Sequence, residues 1–219
     1  MRLAMLGPPG AGKGTQARML AQEFGIPQIS TGDLLREAAR RHSATGLEAK
    51  RYMERGLLVP DELVLKIVTE RMKEDDAAKG FILDGFPRTQ TQAQALDEIL
   101  SSKNQKLRRV MVLEVSDEVI IKRICGRRVC KNCGAMYHVI FDPPRNADLC
   151  NQCNGELYQR EDDNEDTVRM RLEQYALDIK PLLQYYEKKG ILARIDASGP
   201  IADVQRLVMT AVEGEVKSA

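Results

Sequence analysis

The chain has 219 residues, enough for one sizeable domain or one domain with insertions. With 43% hydrophobic and 30% charged residues and a net charge of +1, it reads as a soluble globular protein, and the charge balance argues against broad attraction to nucleic acid or membranes. No apolar run approaches the ~20 residues of a membrane span, and the first motif starts at residue 7, too early for a leader peptide before it, so a cytoplasmic location is expected.

An apolar stretch, Leu3-Ala4-Met5-Leu6, predicts a first strand. It runs into Gly7-Pro-Pro-Gly-Ala-Gly-Lys-Gly-Thr15, and a helix follows from about Gly14 with Ala17, Leu20, Ala21 and Phe24 at helical spacing. Gly25 and Pro27 stop it. Gln28-Ile29-Ser30 reads as a short strand, and Thr31 to about Val59 as a charged helical stretch. Pro60 and Asp61 open another helix, with Leu63, Val64, Ile67 and Val68 on one face. Phe81-Ile82-Leu83 predicts a buried strand ending on Asp84, followed by a helix over roughly 91–100. A strand over 110–115 leads to Ser116 or Asp117 as the cap of a helix to about Gly126. Beyond a glycine-, proline- and cysteine-rich block, a long helix is expected over 165–186, bent at Pro181. A last strand, 191–195, and a C-terminal helix complete the chain.

Short apolar strands alternating with helices predict an α/β fold: a parallel sheet of five strands, covered on both faces. Ligands of such sheets sit beyond the carboxyl ends of the strands. The glycine-rich loop, Thr31, Asp84 and Asp196 all fall there. Two segments break the alternation, about 30–59 and 126–163, and read as insertions over that edge.

Residues 7–15 match the P-loop pattern at a strand-to-helix junction. Glycines let backbone N–H groups curl around phosphate oxygens, Lys13 adds a cation for the outer phosphates, and the Thr15 hydroxyl can hold Mg²⁺. The helix start faces the same anion. Asp84, in Asp84-Gly-Phe-Pro-Arg-Thr89, is placed as a Mg²⁺-side carboxylate, acting directly or through water. Arg36, Arg88, Arg123, Arg127, Arg160 and Arg171 lie on segments bordering this edge, and arginine suits bidentate phosphate recognition.

Four of five cysteines form two C-x-x-C pairs, Cys130/Cys133 and Cys150/Cys153, sixteen residues apart. In a cytosolic chain this spacing favours tetrahedral Zn²⁺ over disulfides. Four protein ligands leave no position for water, so such a zinc is structural. His138 between the pairs reads as a surface or hairpin residue, and the leftover Cys125 as a small buried hydrophobe.

Taken together, these motifs, with Ser30–Arg36, Gly126-Arg-Arg128 and Arg160-Glu-Asp-Asp163, resemble the adenylate kinase family, in its long-lid, zinc-containing bacterial form, over essentially the whole chain. The resemblance implies one P-loop kinase core (1–219) carrying a helical AMP-binding insertion (30–59) and a zinc-ribbon-like lid (126–163). It implies reversible transfer of the γ-phosphoryl group of MgATP to AMP, giving two ADP, by a monomer. By position it assigns Gly10, Ala11, Gly12, Lys13, Gly14, Thr15, Arg123, Arg127, Met136, Tyr137 and Gly199 to ATP. It assigns Thr31, Arg36, Leu57, Leu58, Val59, Gly85, Phe86, Pro87, Arg88 and Gln92 to AMP, and Arg160 and Arg171 to the acceptor and transferring phosphates.

Two rival readings remain: a nucleotide kinase with another acceptor or donor, and a nucleic-acid-binding ATPase using the cysteine block as its contact module. Low aromatic content (5%) and near-zero net charge weigh against the second.

Overall fold

A computed structural model describes residues 1–214; the last five residues of the expected 1–219 core lie outside the described residues. Five parallel strands form the main sheet in the order β2-β3-β1-β4-β8: β1 (Arg2–Leu6), β2 (Gln28–Ser30), β3 (Phe81–Asp84), β4 (Arg109–Glu114) and β8 (Leu192–Asp196). The central strands are near-continuous apolar runs because both faces are covered. Alternate residues separate cleanly: Ala4, Leu6, Phe81, Leu83, Val110 and Val112 enter one core, while Leu3, Met5, Ile82, Met111 and Leu113 enter the other.

The second core is closed by α1 (Lys13–Phe24) and α8 (Ile201–Glu213) through Ala17, Leu20, Val204 and Val208. The first is closed by α4 (Asp61–Arg71), α5 (Gln90–Ser101) and the far half of α7 (Glu165–Lys188), through Val64, Val68, Leu96, Leu182 and Tyr186. Helix α7 continues through Pro181. The lost N–H lies in a stretch where Leu177 is exposed and water can serve the freed carbonyl.

Segment 30–59 contains two helices, α2 (Thr31–Arg40) and α3 (Ala44–Glu54). Ser30 and Ser43 cap them through their hydroxyls, accepting from Asp33 N and Gly46 N. Helix α6 (Asp117–Cys125) leads into the second insertion and anchors on α7, Ile120 and Ile124 packing on Val168 and Leu172. Ser116 holds the N-cap position of α6 but makes no side-chain cap bond, contrary to expectation.

Segment 126–163 carries a separate antiparallel sheet, β6-β5-β7, formed by β5 (Arg127–Cys130), β6 (Met136–His138) and β7 (Leu157–Tyr158). Its buried apolar cluster is Cys130, Ala135, Tyr137, Cys150 and Leu157 alone. A core this small does not hold a sheet by itself.

Two smaller expectations need correction. Cys125, the last residue of α6, is only half-buried. His138 is not on the surface; it is a buried hairpin residue. Its Nδ1 accepts from Ile140 N and Phe141 N, both at 3.0 Å, which ties the β6 turn.

Candidate active site

The carboxyl ends of β1, β3 and β8, the two insertions and the start of α7 enclose one cleft of about 1230 Å³. That exceeds the ~300–1,000 Å³ typical of a pocket for a single small ligand.

At one end lies the loop between β1 and α1. Gly10 and Gly12 take φ of 78° and 96°, left-handed values that a side chain would strain. At Gly10 a Cβ would also lie 2.7 Å from Ile124 Cγ1. The loop therefore curls tightly, and α1 presents its N-terminus to the cleft. Lys13 Nζ folds back on its own loop, donating to Gly7 O at 2.9 Å and Pro8 O at 2.7 Å. Burial lowers its pKa to about 7; Asp84 opposes that shift, and Arg88, Arg171 and Arg127 add to it.

Asp84, at the end of β3, accepts from Gln28 Nε2 at 2.9 Å. Burial pushes its carboxyl up, while Lys13 and the Gln28 hydrogen bond pull it down. With Thr15 on the same wall, it offers the hard oxygen donors that Mg²⁺ requires.

The six arginines expected here all line the cleft. Each is held. Arg127 is paired with fully buried Asp163, Nε donating at 2.8 Å and Nη2 making a second, short bond. Arg171 Nη1 donates to Asp162 at 3.0 Å. Arg88 Nε donates to Gly85 O at 3.0 Å, and Arg123 Nη1 to Ala197 O at 2.9 Å. Arg36 and Arg160 share Asp33. Burial lowers the pKa of Arg160 and of Arg171 to about 10 in each case, helped by neighbouring arginines. They stay charged at neutral pH, so the cleft carries clustered positive charge that a polyanion would relieve.

At the opposite end, Thr31 Oγ1 donates toward Gly85 O at 3.0 Å, and Gln92 Oε1 accepts from Arg88 N at 2.8 Å. Leu57, Leu58, Val59, Gly85 and Pro87 line this end, with Met136, Tyr137 and Gly199 toward the loop end. Phe86 is not brought in: its side chain packs in the core at 1% exposure, off the cleft wall. Tyr137 contributes its body only, since its hydroxyl contacts Cys150 Sγ at 3.3 Å and accepts from Asn151 N.

The sequence reading missed the carboxylates that seat the arginines, Asp33, Asp162 and Asp163, and the amide of Gln28. Only Asp33, three residues before Arg36, carried a local signal; Asp162 and Asp163 lie 9 and 36 positions from the arginines they seat.

The four cysteine sulfurs lie within 4.8 Å of one another, with Cys130–Cys153 at 3.5 Å and Cys133–Cys150 at 3.6 Å. Sulfurs around a tetrahedral Zn²⁺ stand about 3.8 Å apart, given Zn–S bonds near 2.3 Å, whereas a disulfide needs about 2.05 Å. Burial works against ionisation of Cys150, yet hydrogen bonds from Tyr137 Oη and the Gln152 and Cys153 N–H groups bring its thiol down to about 6. The residues fit a four-thiolate metal site.

The sequence model of the adenylate kinase family matches residues 5–191. The chain is 51% identical over 212 residues to an adenylate kinase of Caldicellulosiruptor saccharolyticus, covering 97% of this chain and 99% of that protein. It is 52% identical over 218 residues to one of Archaeoglobus fulgidus, covering 100% of both. The chain belongs to the adenylate kinase family. Five parallel strands behind a phosphate loop, with a cysteine-bearing insertion above it, are the family's architecture as the sequence motifs implied.

Proposed function

We propose that the protein catalyses reversible transfer of the γ-phosphoryl group of MgATP to AMP, giving two ADP, with the phosphate loop holding the donor and the Thr31–Gln92 end holding the acceptor. The observation that carries this assignment is the convergence of Lys13 and six arginines on one cleft with room for two nucleotides.

The acceptor needs no side-chain base. A phosphomonoester with a second pKa of about 6 is already mostly dianionic at neutral pH. His138 lines the cleft, but its nitrogens are committed to the hairpin and to Lys122 O. Catalysis then consists of alignment and charge stabilisation. Lys13 leaves its loop carbonyls for the β- and γ-phosphates. Arg36 and Arg88 hold the AMP phosphate, and Arg123 and Arg127 hold ATP. Arg160 and Arg171 lie against the transferring group. Thr15 and Asp84 would hold Mg²⁺, which when bound neutralises phosphate charge.

Segment 30–59 is assigned as the AMP-binding insertion and 126–163 as the lid. Their closure excludes water, the competing acceptor. Cys130, Cys133, Cys150 and Cys153 would hold a structural Zn²⁺, whose binding energy supplies the folding energy the lid core lacks. Among the described residues no helix is long and apolar enough to cross a membrane. A cytoplasmic monomer without nucleic-acid or membrane partners completes the reading. Titrating the enzyme and MgATP with AMP, CMP, UMP and GMP while following ADP tests the acceptor assignment: AMP is the preferred substrate, and equal rates for all four would overturn it.

A further inference from the structure

Gln92 is 99% buried, yet its amide borders the acceptor end of the cleft. An amide has two orientations that look alike in shape and opposite in hydrogen bonding. Here two neighbours decide between them. Arg88 N can only donate, and it points at Oε1 at 2.8 Å. The Asp61 carboxylate can only accept, and its Oδ1 lies 2.6 Å from Nε2. The other Asp61 oxygen accepts from Thr89 Oγ1 at 2.8 Å, and that same hydroxyl accepts from Gln92 N at 3.1 Å. The ring Asp61–Thr89–Gln92 thus joins the first residue of α4, just beyond Leu57–Val59, to the cap of α5.

With the amide turned this way, one Nε2–H and one Oε1 lone pair are left over. A 6-amino purine matches them: its ring N1 accepts and its 6-amino group donates. A 6-oxo purine presents the reverse pair, N1–H and O6, and would need the amide flipped. Flipping would set N–H₂ against Arg88 N–H and oxygen against carboxylate, each a buried repulsion.

We propose that Asp61 is a positioning residue for base selection: it fixes the facing of the Gln92 amide and thereby makes the acceptor site select 6-amino over 6-oxo purines. The inference rests on the assignment of Gln92 to the acceptor base made above. Asp61 touches no nucleotide and acts through Gln92.

The test is the ratio of kcat/KM for AMP to that for IMP, measured on the full chain with MgATP. Asp61→Ala raises KM for AMP and lowers the AMP:IMP ratio about tenfold, the scale of a lost hydrogen bond to a charged group. Asp61→Ser, which keeps a small polar residue at the start of α4, gives the same change. Ser43→Ala removes the cap of α3, in the neighbouring 30–59 segment; it lowers Tm and leaves the ratio intact, separating positioning from loss of stability. Gln92→Ala is measured beside them. If it leaves KM for AMP unchanged, Gln92 does not read the base, and the proposal falls with that assignment. If Gln92→Ala raises KM while both Asp61 variants keep the wild-type ratio, the positioning role alone is overturned.

Discussion

Arg160, from the cysteine-bearing insertion, places Nη2 3.2 Å from Asp33 Oδ1 on α2, and Arg36 Nη2 reaches the same oxygen at 2.8 Å. One carboxylate thus joins the two insertions across the cleft and holds two of the arginines that line it. Burial would raise the Asp33 pKa, but Arg36 and Arg160 hold it below the usual 3.8.

Its stabilising effect is therefore complete above that usual value and disappears as pH falls through the lower folded value. Asp33→Asn costs under about 1 kcal/mol at neutral pH, because the bridge is largely exposed on the Asp33 side. The difference in stability between wild type and Asp33→Asn, followed by urea denaturation in steps from pH 6 to pH 3, shrinks on the acid side. A difference that grows there would contradict the assignment of the bridge.

Lys13→Met retains the fold and loses phosphoryl transfer by at least about a hundredfold, the scale of removing one preorganised donor from a transition state. The fold survives because Lys13 bonds only to its own loop carbonyls. Far-UV circular dichroism and an ADP-forming assay on the same sample check both halves, and a fully active variant would refute the phosphate-cradle role.

Zinc removal lowers stability chiefly in the 126–163 segment. Its buried apolar cluster holds five residues, two of them metal-site cysteines. Cys153→Ser or chelation is expected to lower the first thermal transition by several degrees and to expose amides of β5–β7 to hydrogen exchange, leaving those of β1 and β4 protected. Identical melting of metal-free and metal-loaded protein would refute the structural role.

Helix α3 crosses α2 at Gly46, where an added Cβ would lie 2.1 Å from Ala38 C and 2.2 Å from Ala38 O. Helix propensity alone would favour alanine by about 1 kcal/mol. The clash is with backbone, which cannot rotate away, so it outweighs propensity and Gly46→Ala is destabilising by about 1–3 kcal/mol. The variant also weakens AMP more than ATP, since the insertion carries Thr31, Arg36 and Leu57–Val59. Equal loss for both nucleotides would show that the effect is not confined to the insertion.

The parallel sheet was legible because strands buried on both faces must be short apolar runs, and Leu3–Leu6, Phe81–Leu83 and Val110–Leu113 have no other use. The phosphate loop was legible because glycine at Gly10 and Gly12 answers a backbone demand. The cysteine spacing carried its own geometry to within the observed sulfur separations. What stayed hidden were pairings between residues far apart in the chain. Nothing local marks Asp163 as the partner of Arg127, Gln28 as the donor to Asp84, or Asp61 as the acceptor for Gln92. Phe86 was misplaced for a related reason: it stands between two cleft residues, and only the turn after β3 decides that its ring faces the core.

The most direct test of direct transfer between two bound nucleotides is the stoichiometry of a single incubation with purified protein, MgATP and AMP. Direct transfer forms two ADP for each ATP and AMP consumed, with no inorganic phosphate released and no ATP lost when AMP is omitted. Release of phosphate from ATP at a rate indifferent to AMP would contradict it.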